Sequence, residues 1–145
     1  MNGYVNGRWA SGMLVPGTEF PQATRWNFVL GVAMFVLGFY GNIYHDRILL
    51  SLRKRPSKEA RWLSGGRQYF TPHGGLFRWV SCPHYFCEMV EWIGYAVATW
   101  CLPSLLFALS TICVLSTRAL TIHRWYLDKF EDYPRSRRAI IPYIL

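Results

Sequence analysis

The chain has 145 residues, of which 52% are apolar and 17% aromatic, while only 17% are charged. An ordinary soluble domain carries roughly 25% charge, and a chain this apolar does not stay solvated as a disordered one would. The 16 basic residues against 8 acidic give a formal net charge of +8, an excess that suits an anionic membrane surface or a phosphate-bearing small molecule.

The N-terminal MNGYVNGRWASGMLVPG has no continuous apolar core behind a basic start, so it does not read as a signal peptide. Residues 1–25 are expected to form a lumenal segment. Trp26 to Tyr44 then gives 19 residues without a charge, close to the roughly 20 needed to cross a bilayer core. Gly31, Gly38 and Gly41 within it are costly in a soluble helix but common where membrane helices pack closely. The expected transmembrane helix is 26–46. The basic connection after it, RKRPSKEARWLSGGRQ at 53–68, carries Pro and Gly and reads as a flexible cytosolic loop within 47–82.

A second uncharged stretch, Trp92 to Thr117, has 26 residues interrupted by Pro103. The flanking charges choose between one tilted span and a hairpin. Eight basic residues and one acid, Glu59, lie from Arg47 to Arg78, and six more basic residues follow Thr117. A single span puts these two basic segments on opposite faces, against the positive-inside rule, whereas two helices meeting near Pro103 put both on the cytosolic face. The hairpin is therefore expected, with helices over 83–101 and 103–123 and a cytosolic tail over 124–145. The fold class is all-α: a polytopic membrane protein with about three transmembrane helices, part of a larger helical bundle.

The hairpin draws Glu88 and Glu91 into a membrane helix, three residues apart and on one face, and brings in Arg118 from the other side. Ionisable groups at that depth face one another or a polar cavity. Glu88 and Arg118 either neutralise each other as a structural pair or serve a ligand.

Cys82, Cys87, Cys101 and Cys113 form no CxxC pair, and His45, His84 and His123 show no regular ligand spacing, so free thiols and no metal are expected. Near the cytosolic helix ends stand Asn42 and Asp46, four apart and on one helical face, with Arg53 further on. Glu88 and Glu91 open the second helix; Arg118, His123, Arg124 and Tyr126 close the third. Carboxylates and amides for hydroxyls, arginines for phosphates and aromatic planes for stacking suit a dinucleotide. The sequence has neither GxGxxG nor GxxxxGK[ST], and TPHGGLF offers only a Gly pair. Nucleic acid is not expected as a partner, because the basic residues cluster beside apolar helices.

Two long runs carry a family resemblance: YFTPHGGLFRWVSCPHYFCEMVEWIGYAVATW and RALTIHRWYLDKFEDYPRSRRAIIPYIL. Both look like the C-terminal region of steroid 5α-reductases. Upstream, GNIYHDRILLSLRK resembles the same family's Asn-x-x-x-Asp helix with its Leu-Arg-Lys end, and NGYVNGRW resembles the segment before it. The resemblance implies a multi-pass membrane reductase of the endoplasmic reticulum. With NADPH such an enzyme saturates the conjugated double bond of a 3-oxo-Δ4 steroid or related lipid enone, surrounded by membrane lipids. It implies that Asn42, Asp46, Arg53, Tyr69, Glu88, Arg118 and Tyr126 contact the nucleotide.

Two further contacts involve departures from the family pattern. His84 stands where these reductases often carry Asn, and His123 is the remaining imidazole of a His pair whose first member is Ile122 here. The loop before Tyr69 is longer than the usual link. In FEDYPRSRR the resemblance gives Tyr133 and Arg137 a supporting role. The glutamate and tyrosine that polarise the substrate carbonyl are expected on helices ahead of the matched region, and the catalytic residues are not identified in this chain. A trans-2-enoyl-CoA reductase of the same broad family and a non-catalytic NADPH-binding membrane protein are the alternatives. An isoprenylcysteine-type methyltransferase calls for paired glutamates after the arginine, where this chain has His123-Arg124.

Overall fold

A computed structural model describes residues 25–53 and 70–142. The described residues form three α-helices: α1 over Arg25–Arg53, α2 over Pro83–Thr99 and α3 over Leu102–Lys129. A single 3-10 turn at Gly75–Arg78 precedes α2. No strand occurs among the described residues; one isolated parallel bridge joins Val80 to Arg138. The architecture is all-α.

Helices α1 and α3 are long and apolar enough to cross a bilayer. They are not the buried core of a soluble bundle, because they leave their apolar side chains uncovered. Trp26 is 82% exposed, Leu37 72% and Leu106 56%, and contiguous apolar surface on that scale belongs against lipid or another helix. Pro83 opens α2 in its first turn, where a missing N–H costs nothing. The chain reverses at Trp100–Cys101: Trp100 takes a left-handed conformation and its N–H closes on Ala96 O at 2.9 Å. Pro103 then sits in the first turn of α3 rather than kinking a continuous helix.

The helices are not bounded by the expected spans. Helix α1 continues to Arg53 and α3 to Lys129, while α2 stops at Thr99. The spans were set by the thickness of hydrocarbon to be crossed, but backbone hydrogen bonding carries a helix on into water wherever one face keeps a packing partner. Ile48 and Leu49 are half-buried on the α1 extension, and on the α3 extension Tyr126 stacks against Tyr133 at 5.1 Å. As a result His123, Arg124 and Tyr126 are helical residues.

The core lies where the start of α2, the second half of α3 and the tail meet. Cys82, Met89, Leu115, Ala119, Ala139 and Ile140 form it, with Tyr85, Phe86 and Ile112 packed on its edge. The tail reaches this core by pairing with the segment before α2: Ser81 N–H donates to Arg138 O at 2.8 Å, Cys82 N–H to Ala139 O at 3.0 Å and Arg138 N–H to Trp79 O at 2.9 Å. Residues 133–140 thereby strap the ends of α2 and α3 together.

Candidate cofactor-binding site

The register of α1 on α2 builds the first wall of the site. Glycines on α1 leave no side chain between the two backbones: Gly31 meets Gly94 and Ala98, Gly38 meets Cys87 and Glu91, and Gly41 meets the Cys87 side chain. Helices in such contact can only run antiparallel here, so the end of α1 that carries Asn42 and Asp46 lies beside the start of α2. His84 accordingly stands within electrostatic reach of both Asp46 and His45. At four residues apart, His84 and Glu88 share the strip of α2 between its α1-facing residues and its α3-facing ones.

His84 Nδ1 is buried and has no hydrogen-bond partner among the described residues. Leaving such a group unsatisfied costs about 1–3 kcal/mol, and a ligand acceptor or donor placed there removes that cost. The Asp46 carboxylate lies within electrostatic reach of this ring, and Asn42 stands one helical turn before Asp46 on α1.

The Gly74–Gly75 pair ahead of α2 is held by His45, which the sequence reading set aside as a poorly spaced metal ligand. His45 is 4% exposed. Its Nδ1–H donates to Gly41 O at 2.6 Å, and its Nε2 accepts the Leu76 N–H at 3.1 Å, which fixes the tautomer. Gly74 and Gly75 both have positive φ, +102° and +52°, a conformation other residues adopt only with strain. A Cβ on Gly75 would also stand 2.8 Å from His45 Nε2. The histidine continues the glycine stripe of α1, four residues past Gly41, and that spacing is the signal that could have identified it. Among the described residues no group of three or more His, Cys, Asp or Glu side chains could hold a metal.

On the other side of α2, Arg118 borders an open cleft of ≈ 280 Å³ with Tyr85, Thr117, Thr121 and Ile122. The guanidinium is exposed and makes no ion pair with Glu88 among the described residues, so the two do not form the structural pair weighed from the sequence. Glu91 is buried beside Glu88, opposite Gly38. Tyr126 stacks on Tyr133 at 5.1 Å and on Phe130 at 6.0 Å, which ties its ring to the tail. The Arg53 side chain and Tyr69 lie outside the described residues. Trp92 packs edge-on against Phe107 at 4.7 Å, in keeping with a packing rather than a stacking role for that ring.

The strap supplies residues to which the sequence alone gave at most a supporting role. Tyr133 Oη–H donates to Ser81 Oγ at 2.8 Å, and Ser81 Oγ lies 2.6 Å from His123 Nδ1. Arg137, 4% exposed, lies over the Tyr133 ring at 5.0 Å and donates through Nη1 to Pro72 O at 3.1 Å. Its Nε is a second buried nitrogen without a partner among the described residues. Burial pushes the neighbouring Cys82 thiol up to about 12, so it stays protonated and acts as a small apolar side chain.

With this geometry in place, the comparison with known proteins is direct. The family described as 3-oxo-5-alpha-steroid 4-dehydrogenase matches residues 1–145. The chain belongs to this family. It is 43% identical over 145 residues to 3-oxo-5-alpha-steroid 4-dehydrogenase 1 of Mus musculus, covering 100% of this chain and 52% of the mouse protein. It is 45% identical over 145 residues to 3-oxo-5-alpha-steroid 4-dehydrogenase 2 of Homo sapiens, covering 99% and 52%. A steroid 5-alpha-reductase of Arabidopsis thaliana is 43% identical over 145 residues, again covering 99% and 52%. The chain spans about half the length of the curated relatives it matches. The family is one of oxidoreductases acting on steroids, which points to a nicotinamide cofactor.

Proposed function

We propose that this chain is the NADPH-holding membrane part of a reductase that saturates the conjugated C=C bond of a 3-oxo-Δ4 steroid or a related lipid enone. The observation that carries the reading is the buried His84 ring nitrogen that lacks a partner among the described residues, within electrostatic reach of Asp46, in a chain of this family. Bound NADPH would supply the two-electron reduction. This chain's residues bind and orient it: Arg53 and Arg118 neutralise phosphate, Asn42, Asp46 and Glu88 take hydroxyl and amide groups, and His84 and His123 donate or accept from ring nitrogens. Tyr69 and Tyr126 offer aromatic faces. Apolar surroundings limit screening of these contacts by salt and water and also dissolve the substrate.

The groups that polarise the substrate carbonyl lie outside this set. The membrane is that of the endoplasmic reticulum, with residues 1–25 lumenal and both the 47–82 connection and the tail cytosolic. The paired basic flanks around Pro103 support this arrangement.

Titrating the purified chain with NADPH and NADH tests the cofactor assignment. NADPH is expected to bind more tightly, and Arg118→Ala to weaken it by about 1.5–3 kcal/mol, the range for hydrogen bonds to charged groups. Equal affinity for the two nucleotides would contradict it.

A further inference from the structure

Behind His123 the structure places a chain of two hydroxyls, Ser81 and Tyr133, of which the resemblance gave only Tyr133 a supporting role. Tyr133 is 3% exposed and Ser81 1%. The Tyr133 ring is fixed on three sides, by the stacked Tyr126, by the Arg137 guanidinium and by the edge of His123 at 6.3 Å. Ser81 is fixed through its backbone, whose N–H donates to Arg138 O. Both hydroxyls are therefore held by the strap and not by rotamer choice alone.

Counting hydrogens decides the state of the imidazole. Ser81 Oγ has two partners among the described residues, Tyr133 Oη and His123 Nδ1. If His123 carried its proton on Nδ1, it would donate to Ser81, Ser81 would donate to Tyr133, and the buried Tyr133 hydroxyl would have no acceptor left. If the proton is on Nε2, every hydrogen in the chain is used: Tyr133 donates to Ser81 and Ser81 donates to Nδ1. A buried donor left without an acceptor keeps its desolvation cost uncompensated, and this selects the second arrangement. No hydrogen bond within the described residues uses His123 Nε2.

We propose that Ser81 and Tyr133 are positioning residues that hold His123 as a neutral ring protonated on Nε2, presenting one fixed N–H to an oxygen acceptor of the bound nucleotide. The nucleotide half of this statement rests on the proposed function; the tautomer half does not. The role of the strap then extends beyond packing, because it sets the direction of a donor on α3. A freely rotating imidazole loses entropy and samples the wrong tautomer on binding, whereas this one is prepared in advance.

The test uses the full 145-residue chain in lipid nanodiscs at pH 8 with nitrogen-15 histidine, His123 being assigned by the signal lost in His123→Gln. The expected spectrum shows an unprotonated Nδ1 and a protonated Nε2 for His123. Ser81→Ala should convert this to a tautomer mixture, and Ser81→Thr, which keeps the hydroxyl, should restore it. In parallel, Ser81→Ala is expected to raise the NADPH Kd about three- to tenfold, the worth of one hydrogen bond, with Ser81→Thr close to the parent. Tyr133→Phe, which keeps the stacked ring, should shift tautomer and Kd in the same direction and supports or refutes the proposal should Ser81→Ala not fold. A protonated Nδ1 in the parent chain, or a Kd unmoved by loss of either hydroxyl, overturns the proposal. A parent chain with the expected tautomer but no affinity for NADPH overturns the nucleotide assignment and leaves the tautomer established.

Discussion

Helix α2 has two neighbours, and it meets them in opposite ways. Against α1 it presents Gly94 and Ala98 to Gly31, and the Cys87–Glu91 backbone to Gly38, so the seam is backbone against backbone. Against α3 it presents large rings: Trp92 touches Phe107, and Tyr85 and Phe86 border the core. Rings that size hold the helices apart and leave space on either side of the contact. One is the cleft at Arg118; the other, ≈ 240 Å³, lies toward the Trp100 turn and is lined by Ile93, Ala96, Val97, Leu105 and Ala108 among others. The glycine seam fixes the relative height of two helices to within a fraction of a turn. The proximity of Asp46 to His84 follows from that register. The ring seam can adjust, and the tail strap closes it at one end with Ile140 and Ala139.

Breaking the glycine seam should have the largest effect. A Cβ on Gly94 would stand 2.5 Å from the Phe35 nitrogen, and backbone cannot move aside as a side chain can. Gly94→Leu is expected to cost at least about 3 kcal/mol, the upper end for overpacking, read as loss of cooperative thermal unfolding in detergent. Next comes the strap. Ile140 is fully buried, so Ile140→Ala should cost about 2–4 kcal/mol and expose the α2–α3 end to proteolysis, while α1 stays docked on α2. The smallest effect belongs to the open side of the ring seam. Ala108 is 2% exposed yet borders the apolar cavity, so Ala108→Val has room to fill and should change stability by less than about 1 kcal/mol. If Ala108→Val proved as damaging as Gly94→Leu, the two seams would not differ as described.

Hydropathy and charge made the helices, the turn near Pro103 and the glycine stripe legible in the sequence, because each is a local property of spacing. Family motifs carried the candidate residues, and the structure brings Asp46 within electrostatic reach of His84. What stayed hidden depends on contacts far apart in the chain. His45 looked like a stray imidazole until Leu76, 31 residues away, was seen to donate to it. Ser81 and Tyr133 are 52 residues apart, and nothing in the spacing of either announces the other. The continuation of α1 and α3 past the expected membrane spans was hidden for a related reason. Hydropathy marks the edge of hydrocarbon, whereas Tyr126 is held in helix by a tail residue it meets only in the folded chain.

The central claim is that these residues form the cofactor-holding part of a steroid-type enone reductase and need carbonyl-polarising groups from elsewhere. It is tested most directly in a reductase-deficient membrane, following NADPH oxidation with a 3-oxo-Δ4 steroid. The 145-residue chain would be expressed alone and together with the part of the human relative that this chain does not span. Loss of one donor to a developing oxyanion typically costs about 10²–10³ in rate, and the resemblance puts two such donors, a glutamate and a tyrosine, ahead of the matched region. The account predicts negligible steroid-dependent oxidation by the chain alone and measurable turnover when that part is supplied. Robust turnover by the chain alone would contradict it and make Glu88, Glu91 or His123 the first residues to examine as the acid.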